Sequence, residues 1–292
     1  MNDNYIRGGA LMLLATIFFS LSDTMAKYVT QSVPAVELAS IRYAVFVAMA
    51  GVPFLRRRSA SIRSRRPALQ ILRGIGVVGS AISFILSLKY MQITEATAIN
   101  FITPLLITVL AIPVLGEIVR PQGWAAVLVG FVGMLVVVRP GVGGLHPAAL
   151  LVLLSSLCWC MAMLITRRLV GLDRASVTLM WTAMTGFVLL LCALPFFLAP
   201  LTLRQLGLCL AVGVIASCGQ LFSLLAYRYA RATVLAPLTY AQLIWSSFFG
   251  YLVFRAVPDR WTLVGAVIIA LSGTYVVHLE RVRVAALRTG AI

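Results

Sequence analysis

The sequence predicts an all-α integral membrane protein of ten transmembrane helices, built as two inverted five-helix repeats. Three observations carry this. The 292 residues are 61% hydrophobic and 11% charged, with a mean hydropathy of +1.01, which leaves too little polar surface to cover a water-soluble globule. Apolar runs of about 20 residues, each able to cross a hydrocarbon core of ~30 Å, tile the chain. With no water to satisfy backbone groups, each run is expected to be a helix. Finally, the stretch from Ser83 to Val138 has a diverged copy roughly 139 residues later. LKYMQIT (88–94) is matched by YRYARAT (227–233), and the copies end in VGMLVVV (132–138) and SGTYVV (272–277). A fainter echo upstream pairs Ala39-Ser40-Ile41-Arg42 with Ala175-Ser176-Val177-Thr178 at a spacing of about 136.

The expected spans, in order, are 8–29, 35–55, 69–90, 94–115, 121–139, 147–167, 176–198, 205–227, 233–254 and 260–279. Five fall in each repeat, 1–140 and 141–292. An odd number of crossings makes the second copy enter from the opposite face, an architecture common among secondary transporters. The first run extends from near Gly8 beyond Thr24, too long for the apolar core of a cleavable signal peptide.

Arginine sets the orientation. The connection after span two carries seven arginines between Arg56 and Arg73, and 17 of the 24 basic residues fall on that side. It is expected to be cytoplasmic, as are both termini, with the protein in the cell (inner) membrane. The net charge of +16 therefore reads as orientation, not as a nucleic-acid surface. The five cysteines all lie in apolar spans without metal-site spacing, and only His146 and His278 represent histidine; no metal or cofactor is expected. Gly74-Ile75-Gly76-Val77-Val78-Gly79 matches a dinucleotide fingerprint literally but lacks the preceding strand that the loop needs. Small residues at 76, 79, 80 and 83 instead suit close packing of span three on a neighbour.

Ionisable residues within spans are costly and mark functional candidates. Asp23 and Lys27 are four apart on span one, close enough to pair; Glu37 opens span two and Arg42 lies one to two turns deeper. All four are expected in the outer half of the membrane. At an offset of 136, Asp23 falls on Trp159, Lys27 on Met163 and Arg42 on Thr178, so the second half is neutral where the first is charged. Two readings stand: a substrate-binding or gating group, or a self-neutralising cluster that locks the spans.

Polar residues also recur at helical spacing. Ser80, Ser83 and Ser87 share a face of span three, and Asn100 and Thr103 a face of span four before Pro104. Their counterparts are Ser217, Gln220 and Tyr227, then Thr239, Gln242 and Ser246. They serve as interhelical hydrogen bonds or as the lining of a central cavity, with backbone freed near Pro104 and Pro237 contributing carbonyls or bends. Trp159, Tyr227 and Tyr240 are candidate aromatic walls.

These residues resemble the EamA branch of the drug/metabolite transporter superfamily over nearly the whole chain. The likeness rests on Ser22, Asp23 and Lys27 in span one, Glu37 and Arg42 in span two, RPALQILRG (66–74), Thr103-Pro104, Gly116-Glu117 and VGFVG (129–133); the second copy departs at Arg255-Ala256. The resemblance implies a cavity lined by spans one to four and six to nine, and alternating access driven by a proton or solute gradient. It is closest to metabolite carriers that include S-adenosylmethionine and riboflavin importers and amino-acid exporters. The expected activity is secondary transport of such a small organic metabolite by a monomer in the lipid bilayer, with protons as candidate coupling ion through Asp23 and Glu37. A multidrug exporter of hydrophobic cations is the alternative. A channel would need a polar filter, and a membrane enzyme would need a cluster of catalytic groups at one interface.

Overall fold

In a computed structural model, the structure describes residues 5–56, 61–91, 93–100, 102–116, 121–138, 147–197 and 199–255, with 260, 261, 264, 265, 267, 268, 271, 272 and 275 beyond them. Every regular element among them is helical. In order these are α1 (Tyr5–Val29), α2 (Ala35–Arg56), α3 (Pro67–Ser87), α4 (Ile93–Asn100), α5 (Ile102–Leu115), α6 (Pro121–Val138), α7 (Ala149–Leu169) and α8 (Ala175–Ala193). Then follow α9 (Leu203–Tyr229), α10 (Ala232–Leu235), a 3-10 turn (Ala236–Tyr240) and α11 (Ala241–Phe254). Six of them, α1, α2, α3, α7, α8 and α9, are long and apolar enough to cross a membrane. The expected fourth span is covered by α4 and α5, with residue 101 between them outside the described residues, and the ninth by α10, the 3-10 turn and α11. Glu117, both histidines and most of the expected tenth span lie outside the described residues.

Helix ends follow local chemistry. Pro67 opens α3 and Pro121 opens α6, where a proline loses no intrahelical bond. Thr202 caps α9: its Oγ1 accepts from Gln205 N at 3.3 Å and Gln205 Oε1 accepts from Thr202 N at 2.8 Å, a reciprocal capping box. Pro104 falls in the first turn of α5 and Pro237 opens the 3-10 turn. In the ninth span the helix tightens to 3-10 geometry where proline removes a backbone donor.

The long helices pack as crossed partners. α1 lies along α9 and α3 along α7, while α2 packs on both α8 and α9. Close approach is made by small residues. A Cβ added at Gly76 would come 2.9 Å from the Cys158 carbonyl oxygen and 3.2 Å from Ala162 Cβ, so the expected small face of span three is where α3 meets α7. The Arg7 guanidinium lies 4.5 Å from the centre of the Tyr229 ring, which brings the start of α1 to the end of α9. The arginine-rich end of the bundle therefore holds the starts of α1 and α3 and the ends of α2, α7 and α9.

Gly76→Ala should force α3 and α7 apart against a backbone carbonyl that cannot rotate away. The expected cost is about 1–3 kcal/mol, read as a lower thermal midpoint in detergent than for the exposed control Gly207→Ala, whose added Cβ meets nothing within 4 Å.

Candidate functional site

Between the crossed helices lies a cavity with about 870 Å³ of empty space, part of it continuous with solvent. On α3 the lining runs from Val77 to Ile85, and on α1 from Met12 to Asp23; on α7 it stops at Trp159 and on α9 at Ser223. On α3 and α7 these stretches lie in the half away from the arginine-rich end, while on α1 and α9 they reach past the middle toward it.

One side of the cavity is charged. Asp23 of α1 and Arg42 of α2 both reach its wall, near enough for the guanidinium charge to act on the carboxylate. Gln242 Nε2 donates to Asp23 Oδ2 at 3.2 Å, while the Gln242 carbonyl oxygen accepts from Ser20 Oγ at 3.0 Å. The carboxylate is thereby held between α1 and α11. Arg42 makes no hydrogen bond to another described residue. Its backbone sits tight on α9, because a Cβ at Gly213 would come 3.2 Å from Arg42 Cα and 2.8 Å from Val45 Cβ.

The rest of the wall is neutral and part aromatic. Phe19 and Trp159 meet edge to face with ring centres 5.4 Å apart, a geometry favoured by the ring quadrupoles. The Ser80 and Ser155 hydroxyls are 3.0 Å apart, and Ser155 also donates to the Ser80 carbonyl at 2.9 Å. Asn100 Oδ1 accepts from Ser156 Oγ at 2.7 Å and from Thr103 Oγ1 at 3.4 Å. Gln220, also on this wall, is only 4% exposed and its Oε1 has no hydrogen-bond partner. A buried amide oxygen without a partner is costly.

The structure thus brings Asp23, Arg42, Asn100, Thr103, Gln220 and Gln242 around one space with Trp159. It does not bring the other candidates there. Lys27 Nζ lies 5.6 Å from the centre of the Phe254 ring, and Glu37 accepts from Ala199 N at 3.3 Å near the start of α9. Ser83 is buried, and Ser87 donates to the Phe84 carbonyl at 2.7 Å. Tyr227 and Tyr240 are fully buried in packing. Tyr227 belongs to the apolar cluster with Met12 and Met163; Tyr240 lies against Gly130 of α6, its hydroxyl donating to the Val127 carbonyl at 3.4 Å. Tyr227 shares the face of Gln220 and Ser223 but lies one turn beyond the end of the lining, and Tyr240 is not among the lining residues.

Below the cavity, toward the arginine-rich end, sequence reasoning missed the most polar layer. Arg73 counts among the loop arginines by hydropathy, yet it sits fully buried in the second turn of α3. Its Nε donates to Thr166 Oγ1 of α7 at 2.6 Å and its Nη1 to Thr182 Oγ1 of α8. Asp173, in the turn between α7 and α8, accepts from Ser64 Oγ, from Arg65 N at 3.1 Å and from Gln70 Nε2 at 2.8 Å. Burial acts to raise the Asp173 pKa, but the bonds from Ser64, Arg65 and Gln70 and the charge of Arg65 outweigh it and hold the carboxyl below its ordinary value. It is ionised at neutral pH, and its ties weaken only as acid protonates it. The visible signal was Gln70 and Arg73, three apart and so on one face of α3.

A helical membrane bundle around a part-polar cavity is the build of a solute carrier. The profile of the EamA-like transporter family matches residues 6–139 and again 146–278, and the chain belongs to that family. It is 28% identical to an S-adenosylmethionine uptake transporter of Rickettsia prowazekii (strain Madrid E), covering 96% of this chain and 97% of that protein. A riboflavin transporter of Rhizobium johnstonii is 30% identical over 94% of this chain and 91% of its own length, and a pseudopaline exporter of Pseudomonas aeruginosa 25% identical over 91% and 94%. A crystal structure with 20% identity superposes over 95% of this chain with a TM-score of 0.78, which speaks for the fold. The protein is a multi-pass membrane transporter.

Arg73→Ala should leave Thr166 and Thr182 without their cross-helix partner and open a void between α3, α7 and α8. A loss of about 2–3 kcal/mol is expected, the scale of a bond to a charged group, measured as a lower thermal midpoint of the purified protein.

Proposed function

We propose that this transporter is a secondary carrier of a small zwitterionic metabolite with a flat ring system, working by alternating access between two inverted five-helix halves. The observation that carries this is the pairing of Asp23 and Arg42 on one wall of a single cavity whose other walls are neutral and aromatic. Arg42, with a guanidinium suited to a carboxylate, takes the acidic group of the substrate. Asp23, steadied by Gln242, takes the cationic group. Phe19 and Trp159 flank the ring, and the Gln220 carbonyl accepts one of its N–H donors. S-adenosylmethionine has all these parts, and the similarity to its uptake transporters supports it as the first candidate.

The crossed pairing supports the two-half architecture: α1 on α9 and α3 on α7 are the same contact once the halves are exchanged, and the family profile matches once in each half. The arginine-rich end is the cytoplasmic one by the positive-inside rule, which puts the cavity on the outer side in the cell membrane. Two fused halves make a complete carrier, so the working unit is a monomer. Among the described residues Asp23 is the one carboxylate on the cavity wall and the place where a coupling proton would bind.

Proteoliposomes loaded with S-adenosylmethionine should transiently accumulate the labelled compound from outside, with riboflavin and an aromatic amino acid as competitors. Asp23→Asn and Arg42→Gln should each cut the rate by about tenfold or more, the worth of one charge-assisted bond, with thermal midpoints near that of the parent. Unchanged rates in both variants would sink the assignment. In the same vesicles an inward pH gradient should speed uptake by the parent and not by Asp23→Asn; a parent indifferent to the gradient would show exchange without protons.

A further inference from the structure

Asp173 and Glu37 stand 136 positions apart, the offset that superposes the start of one half on the start of the other. Each is a carboxylate at the entry to the second helix of its half, Glu37 in the first turn of α2 and Asp173 two residues before α8. They lie at opposite ends of the bundle. Each is nearly buried, Glu37 5% and Asp173 9% exposed. Each accepts from a backbone N–H in the connection between the second and third helices of the other half: Asp173 from Arg65, Glu37 from Ala199.

The two sites differ in how far they are made. At the arginine-rich end Asp173 also holds Ser64 and Gln70, Gln70 reaches on to Thr178 Oγ1 at 3.2 Å, and Arg228 at the end of α9 donates to the Asp173 carbonyl. At the other end Glu37 has, among the described residues, the single bond from Ala199, stretched to 3.3 Å. The glutamine near the start of α9, Gln205, is turned back onto Thr202 in its own capping box. Lys89, which falls on Arg228 in the repeat, has its ammonium 5.9 Å from the centre of the Tyr90 ring. One carboxylate is fully engaged and its counterpart is nearly released.

We propose that Asp173 and Glu37 are the paired latches of the two gates, each closing its own end of the cavity by clasping the opposite half, and exchanging their bonds as the carrier turns over. The structure holds the Asp173 latch shut, with the cavity floor sealed above it by Arg73, Met163 and Tyr227. In the opposite state Glu37 gathers Gln205 and the Lys89 ammonium while Asp173 lets go of Ser64 and Gln70. The equilibrium then depends on the difference between two sets of bonds, so removing either carboxylate shifts it, in opposite directions. This rests on the alternating-access reading but not on the identity of the substrate.

The test reads the two states directly. In a background with the five native cysteines replaced, a single reporter, Ala81→Cys on the cavity wall, is labelled with a membrane-impermeant maleimide in right-side-out and inside-out vesicles, with no substrate present. Asp173→Asn should raise the labelling rate from the arginine-rich face about tenfold and lower it from the other, as a shift of one bond's worth in a two-state equilibrium requires. Glu37→Gln should move both rates the opposite way, and the double variant should return toward the parent. Ser64→Ala, which removes one donor at the surface, should act like a weaker Asp173→Asn and decides the matter if that variant does not fold. Rates unchanged from both faces, or shifted in the same direction by Asp173 and Glu37 variants, would overturn the proposal. Failed counterflow with a normal labelling shift would instead count against the substrate alone.

Discussion

Close approach of helix backbones across the two halves is the constraint on which this protein depends. A bundle in lipid gains little from the hydrophobic effect between its helices, so packing and interhelical hydrogen bonds must hold it. Gly76 brings α3 onto α7 near enough for the Ser80 and Ser155 hydroxyls to meet at 3.0 Å. Gly213 does the same for α2 and α9, and so fixes Arg42. The cavity exists because these contacts hold its walls from both sides while Phe19, Trp159 and the polar side chains keep the middle from collapsing.

Polar groups occur at two depths. In the layer toward the arginine-rich end they are tied across helices, with Arg73 on Thr166 and Thr182 and Asp173 on three donors, although Arg73 Nη2 and Gln70 Oε1 keep no partner. In the cavity layer the Gln220 oxygen is likewise without one. Satisfied networks rigidify, and unsatisfied ones are where a bound molecule gains most.

Hydropathy made the long helices legible, and the cost of charge in lipid singled out Asp23 and Arg42. Gln220 and Gln242 followed from helical spacing. What spacing could not supply was depth: Tyr227 shares a face with Gln220 and Ser223 yet lies beyond the lining in the cluster with Met163, and Tyr240 packs on Gly130. Arg73 was read as a loop charge because burial of a guanidinium depends on two threonines about a hundred residues further along the chain, which no local pattern reveals. Asp173 was visible only through its repeat partner Glu37, and a short turn in a connecting segment attracts little notice on composition alone.

The two left-handed residues that follow α5 and α11 bear on how such a chain diverges. Gly116 has φ +66 and Arg255 φ 55, so both copies close the helix with the same turn although one uses glycine and the other a bulky side chain. A side chain in that conformation costs on the order of 1 kcal/mol, yet the turn persists. The same turn is thus made at both places with different residues, just as Asp23 and Arg42 carry charge at positions whose counterparts at an offset of 136 are Trp159 and Thr178.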